Sequence, residues 1–194
     1  MSVNVETQLV RRAIDGDAGA FSEIYFRLRD SVYGFTFRMM GDRSTAEDIT
    51  QEVFMFLIEN PDKFRAERGQ LLPFLCGVAR NLVLRRLQKR GTALEVVTDF
   101  SENQNELEDE SPHSPLSFLL DQELAVKIEE SILRLPPNQR EVIILRELQD
   151  FSYQEIAEIT ETDVNTIKVW LHRARKTVAR NLSPYLMGLE ENAR

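Results

Sequence analysis

Between Asp163 and Asn181 the chain sets Lys168, Arg173, Arg175, Lys176 and Arg180 against one acid, Asp163, for a net charge of +4. At about 100° per residue, a helix here shows Asn165, Val169, His172, Arg173 and Lys176 on one face. Val164, Ile167, Leu171, Ala174 and Val178 form an apolar stripe on the other. Lys168 and Arg175 flank that stripe, and Thr166 and Trp170 lie on its other side. Ammonium and guanidinium groups bind phosphate without regard to sequence, while a guanidinium can also bond O6 and N7 of guanine together. A solvated basic helix face has the same spacing, so the stretch alone leaves both readings open.

A second cationic region covers residues 61–90, where eight Lys and Arg stand against two acids, a net of +6. It includes Phe64, Arg65, Arg68 and Gln70 in a polar loop, then Arg80, Asn81 and Arg85 along the next helix. Cations at a helix C-terminus answer the macrodipole, but this density exceeds that need and points to phosphate contact. A third group is acidic: Asp48, Gln51, Glu52 and Glu59 share the outer side of one helix. Spacing alone assigns that face to solvent. Covalent or acid–base chemistry finds no support. His113 and His172 have no nucleophile or metal-ligand partners, no Gly-rich phosphate cradle is written, and neither cofactor nor metal is expected.

These groups need helices to carry them. Ser152 with Glu155 three residues later spells a capping box for a short helix with Ile156, Ala157 and Ile159 inside. After Thr160-Glu161-Thr162, Asp163 is the expected N-cap of the longer basic helix. A short helix, a tight turn and a cationic second helix match a helix-turn-helix, whose second helix enters the major groove. Upstream, Val5–Ile14 reads as a first amphipathic helix. Phe21 to Met39 continues the apolar pattern to Gly41, and Ser44 with Glu47 marks a further capping box. Asn60-Pro61 ends that helix. Pro73 suits the first turn of the next one, which carries Leu75, Val78, Ala79 and Leu82 inward and Arg80, Asn81, Leu84 and Gln88 outward. Helices resume at Phe118, and Gln139–Leu148 supports the helix-turn-helix.

Composition sets the frame. The 194 residues suffice for one ordinary or two small domains, and 42% apolar residues allow folded cores. No apolar run approaches a membrane span, and the first residues lack an apolar signal segment, so a cytoplasmic location is expected. Cys76 is the single cysteine; it excludes an internal disulfide and is expected to fill space on a helix rather than to sense redox state. The net charge of −8 does not veto DNA binding, because residues 91–115 alone carry seven acids and no Lys or Arg. The expected architecture is all-α: a helical domain over 1–90, an acidic flexible linker over 91–117, and a helix-turn-helix domain over 118–194.

AEDITQEVF at 46–54, FRAERGQLLPFLCGVARNLVLRRLQKR at 64–90, and LPPNQREVIILREL, SYQEIAEIT and TIKVWLHRARK within 135–176 together resemble the bacterial extracytoplasmic-function sigma factors. These are two-domain members of the RNA polymerase sigma family, and the similarity runs in the family's order over nearly the whole chain. The resemblance implies that Asp48, Gln51 and Glu52 dock on the coiled coil of the polymerase β′ subunit, by charge-assisted hydrogen bonds. It implies that the loop from Phe64 to Leu72, with Arg65, Arg68 and Gln70, reads the −10 element around an unstacked base. Arg80, Asn81 and Arg85 would hold the backbone of the opening duplex. Asn165, Thr166, Lys168, Val169, His172, Arg173, Arg175 and Lys176 would meet the −35 element, with Arg173 on guanine and Lys168, Arg175 and Lys176 on phosphates. Core polymerase (β′ and β), promoter DNA and an anti-sigma factor are the implied partners, and the acidic linker would be drawn into a basic polymerase channel.

The chain departs from the family pattern in three places. Pro73-Phe74 stand where the family usually has Trp, Arg85 where it has Asp, and Val169-Trp170 where it has Ser-Arg. Val169 can touch a thymine methyl but donates no hydrogen bond, which puts the family's −35 preference in doubt. The competing reading is a stand-alone helix-turn-helix regulator that binds duplex DNA without polymerase. Such a protein has no need of the Asp48-Gln51-Glu52 face.

Overall fold

A computed structural model of the chain describes residues 5–64, 70–89 and 115–192. All the regular structure among these residues is helical, as expected. Four helices form the first half: α1 (Val5–Ile14), α2 (Ala18–Met40), α3 (Arg43–Glu59) and α4 (Leu71–Lys89). The second half holds α5 (Pro115–Leu133), α6 (Pro137–Ile143), α7 (Tyr153–Thr160) and α8 (Val164–Asn192). Most of the proposed linker, together with Arg65 and Arg68, lies outside the described residues.

Local chemistry explains the boundaries. Asp17 caps α2 by accepting from the N–H groups of Gly19 at 2.9 Å and Ala20 at 3.0 Å. Gly41 ends α2 in the left-handed region at φ 68°, with its N–H on the Phe37 carbonyl at 2.7 Å. The start of α3 corrects the expected cap at Ser44. Asp42, in extended conformation, accepts from the Thr45 N–H at 2.8 Å, so the helix opens one residue before Ser44. α5 begins at Pro115, three residues ahead of the expected Phe118, with proline at the first helical position where its missing N–H costs nothing.

The expected single helix Gln139–Leu148 is also corrected. α6 starts at Pro137 and gives way at Ile144–Leu148 to a wider π-helical turn. Asp150 at φ 55° turns the chain back, and the Phe151 N–H reaches the Leu145 carbonyl at 3.1 Å. Arg146 donates to the Phe151 carbonyl at 2.8 Å and locks that return. The wider winding carries Leu145 and Phe151 into the core while Leu148 stays exposed.

Packing runs through both halves. Ile24, Val32, Phe35, Met39, Ile49, Val53, Leu71, Leu75 and Cys76 are buried in the first, and Leu135, Val142, Ile144, Leu145, Ile156, Ile167 and Leu171 in the second. These residues belong to one continuous apolar cluster rather than two. α2 lies against α5, α6 and the π turn, and α4 lies against α7. Between α2 and α3 the buried hydroxyls of Thr36 and Thr50 stand 3.3 Å apart, and Thr50 donates to the Ala46 carbonyl at 2.7 Å. That polar contact fixes the rotation of α3 and leaves its acidic side outward.

Candidate nucleic-acid interface

The helix-turn-helix forms as its sequence dictates. Ser152 accepts from the Glu155 N–H at 3.2 Å, and the Glu155 carboxylate takes the Ser152 N–H at 2.8 Å, closing the capping box. α7 ends on Glu161 at φ 52°, a left-handed position seldom occupied by a residue other than Gly or Asn. Asp163 then caps α8, accepting from the Thr166 N–H at 2.9 Å. Ile156 and Ile159 of α7 and Ile167, Leu171 and Ala174 of α8 are buried together, which fixes the angle between the helices.

On the outer face of α8, Asn165, Lys168, Val169, His172, Arg173 and Lys176 are all exposed, Val169 at 46%. Thr166 is half-buried, and its hydroxyl is held by Asp163. Those same bonds from Thr166 keep the Asp163 carboxyl below the usual carboxylate range. Thr166 therefore acts in the cap, with its hydroxyl turned away from the reading face. Arg175 is tied to Glu147 of the π turn, Nε to Oε1 at 3.0 Å, a bond that raises its pKa further. Lys168 Nζ lies 5.7 Å from the Tyr153 ring centroid and Arg146 Cζ lies 5.2 Å from it, so both cations are within cation–π range of that ring.

The α3 face carries Asp48 and Gln51 in the open, while Glu52 is half-buried and ion-paired to Arg86 of α4. Glu52, Leu82, Arg85, Arg86 and Lys89 line a cleft of about 290 Å³ between the two helices. Met55 at 49% and Ile58 at 53% exposure extend the acidic face with an apolar flank. Sequence reasoning passed over them. The signal was present, because Met55 stands three residues beyond Glu52 and seven beyond Asp48, on the same helical side.

α4 splits its expected DNA residues. Asn81 and Arg85 are exposed at the surface, as is Gln70 ahead of the helix. Phe64 packs on Phe74 with centroids 5.4 Å apart, so this ring anchors one end of the loop. Arg80 does not point freely outward as expected. Its side chain is 18% exposed, and Nε donates to Glu141 Oε1 at 2.6 Å. The helical turn that sends Asn81 to solvent directs Arg80 toward α6 of the other half. Glu141 is itself buried, and that burial raises its pKa while Arg80 pulls it back down. Among the described residues, no three His, Cys, Asp or Glu side chains converge as a metal site, and no helix is long and apolar enough to cross a membrane.

Comparison with known proteins places the chain in a family. Residues 24–92 match Sigma-70 region 2, and residues 125–178 match Sigma-70 region 4. The chain is 33% identical over 175 residues to the ECF RNA polymerase sigma factor BldN of Streptomyces coelicolor, covering 90% of this chain but only 65% of BldN. It is 31% identical over 182 residues to the ECF RNA polymerase sigma factor SigW of Bacillus subtilis, covering 89% of this chain and 94% of SigW. Among solved structures, the sigma factor RpoE bound to the anti-sigma factor NepR from Bartonella quintana superposes with a TM-score of 0.64. It is 23% identical, over 84% of this chain and 96% of that one. CnrH in complex with the cytosolic domain of CnrY gives 0.63 at 19% identity, over 93% and 99% of the two chains. Those two structures share the fold. The matches to both sigma regions in this order, with SigW aligned along nearly its whole length, establish that the chain belongs to the ECF sigma factors of RNA polymerase.

Proposed function

We propose that the chain binds core RNA polymerase and directs it to promoters, with residues 1–90 serving core binding and −10 opening and residues 118–194 serving −35 recognition. It makes no covalent change itself and works by placing charged surfaces. The observation that carries this reading is the presence, in one chain, of an outward acidic helix face at Asp48 and Gln51 and an outward cationic recognition face on α8. A free-standing repressor needs only the second.

Each face has a stated task. Asp48, Gln51 and Glu52, flanked by Met55 and Ile58, meet a basic helical surface of polymerase through charge-assisted hydrogen bonds around an apolar contact. Gln70, Asn81 and Arg85, with Phe64 supporting the loop that holds Arg65 and Arg68, hold the −10 strand. Asn165, Val169, His172 and Arg173 read base edges at −35, while Lys168 and Lys176 bind phosphate. An anti-sigma partner that covers these faces fits the same chemistry, and the setting is the cytoplasm.

Transcription in vitro with core polymerase tests the proposal. Defined transcripts should appear only when this chain is added, and the free chain should bind duplex promoter DNA weakly and with steep salt dependence. Tight binding of closed duplex by the free chain, with no transcription when core is supplied, overturns the reading in favour of the stand-alone regulator.

A further inference from the structure

Three side chains that border the reading face of α8 are engaged away from its centre. The Thr166 hydroxyl is held by the Asp163 cap, Lys168 is drawn to the Tyr153 ring, and Arg175 Nε donates to Glu147 Oε1 at 3.0 Å. What is left at the centre is Asn165, Val169, His172 and Arg173, all exposed. Positions three and four apart are neighbours on a helix, so Val169 stands between Asn165 on one side and His172 with Arg173 on the other. It is 46% exposed, whereas Ile167 and Leu171 of the inward stripe are buried. Trp170, the next residue, packs against the core cluster instead. The middle of the surface therefore carries a β-branched hydrocarbon flanked by hydrogen-bonding groups.

We infer that Val169 makes this face a reader of the pyrimidine 5-methyl group. At one base pair of the −35 element it takes thymine or 5-methylcytosine and discriminates against the same bases without the methyl. The inference rests on the reading of α8 as the helix that enters the −35 major groove. Valine has neither donor nor acceptor, so it is blind to the exocyclic oxygen or amine by which thymine and cytosine differ. The 5-methyl, by contrast, is an apolar group that projects into the major groove. Two features make the contact selective. β-Branching restricts Val169 to one dominant χ1 rotamer in a helix, so its methyls are fixed before DNA arrives and little entropy is lost on contact. Ile167, Leu171 and Ala174, buried with Ile156 and Ile159, set the angle of α8, so tilting the helix to close the gap left by a missing methyl would disrupt that core. One buried carbon is worth about fourfold in affinity, from roughly 0.8 kcal/mol per buried CH2. Cytosine methylation at this base pair thus strengthens promoter recognition by the same factor that separates thymine from uracil.

The test is selection by the full chain, with and without core polymerase, from promoter duplexes randomised over the −35 region. Three libraries are compared: one of ordinary bases, one with uracil for thymine, and one with 5-methylcytosine for cytosine. At one position the wild type should favour thymine over uracil about fourfold, and 5-methylcytosine over cytosine by about the same factor. Val169→Ser should bring both ratios to unity. Val169→Ile, which keeps the branched hydrocarbon, should retain them. Both changes fall at an exposed position, so helical content by circular dichroism should match the wild type. Ratios of unity in the wild type, or ratios that survive Val169→Ser, overturn the proposal. A preference for thymine over uracil with none for 5-methylcytosine over cytosine would mean that the exocyclic oxygen is read as well, and overturns it too. Selection that proceeds equally without core polymerase overturns the polymerase-dependent function yet leaves both ratios readable, so the two failures are told apart.

Discussion

Replacing Arg140 by Met removes one planar fork that serves three carbonyls, those of Met39, Leu133 and Leu135. The bonds to Met39 and Leu135 are buried and that to Leu133 is partly buried, and a buried acceptor left without a donor costs roughly 1–3 kcal/mol. Three at about 2 kcal/mol give a gross loss of about 6 kcal/mol. Against this stands the cost of burying the cation. Desolvation pushes the Arg140 pKa down from its ordinary value to about 10, which at about 1.4 kcal/mol per pH unit returns about 3 kcal/mol when the charge is removed. The net destabilisation is therefore about 3 kcal/mol. With a urea slope of about 2 kcal/mol per molar for a protein of this size, the midpoint falls by about 1.5 M. Equilibrium unfolding should be followed by circular dichroism for all helices and by fluorescence of Trp170, the only tryptophan, which reports on α8. The continuous core predicts that the two probes coincide in the wild type. Arg140→Lys should rescue little, because one ammonium cannot span three acceptors set for a planar fork. A midpoint shift below about 0.5 M in Arg140→Met would show that desolvation cancels the hydrogen bonds, and the reasoning fails.

Three further outcomes are expected. Asp48→Arg, on the part of the α3 face where no ion pair to an Arg forms among the described residues, should weaken core polymerase binding roughly thirtyfold or more by titration. Its thermal midpoint should stay within a degree or two of wild type, and unchanged core affinity removes Asp48 from that surface. Arg173→Ala should cost about 1–3 kcal/mol of discrimination at one guanine of the −35 site. A uniform loss across all −35 variants would reassign Arg173 to phosphate. Cys76, buried and pushed up to about 12 by desolvation, should resist thiol reagents in the native chain at pH 8. Modification faster than global unfolding would show that the α4 core opens locally.

Much of the site was legible in the sequence because helical periodicity is a local property. Val164, Ile167, Leu171, Ala174 and Val178 had to face inward at their spacing. That alone turned Asn165, Val169, His172 and Arg173 outward, and the structure has them there. The Ser152–Glu155 box and the Asp163 cap were readable for the same reason, since their partners lie within one turn. Asp42 displaced Ser44 as the α3 cap because two capping residues compete within one turn, and the entry path of the chain from Gly41 decides between them.

Tertiary structure alone decided which charges are free. Nothing within a few residues of Arg80 foretells Glu141, 61 positions away, and nothing near Glu52 foretells Arg86, 34 away. The π turn that brings Glu147 to Arg175 likewise depends on how Asp150 and Phe151 return to the core. A pattern of period 3.6 specifies the face on which a side chain lies. Which opposite charge it meets depends on the packing of helices remote in sequence, and in this chain burial of one shared apolar cluster sets that packing.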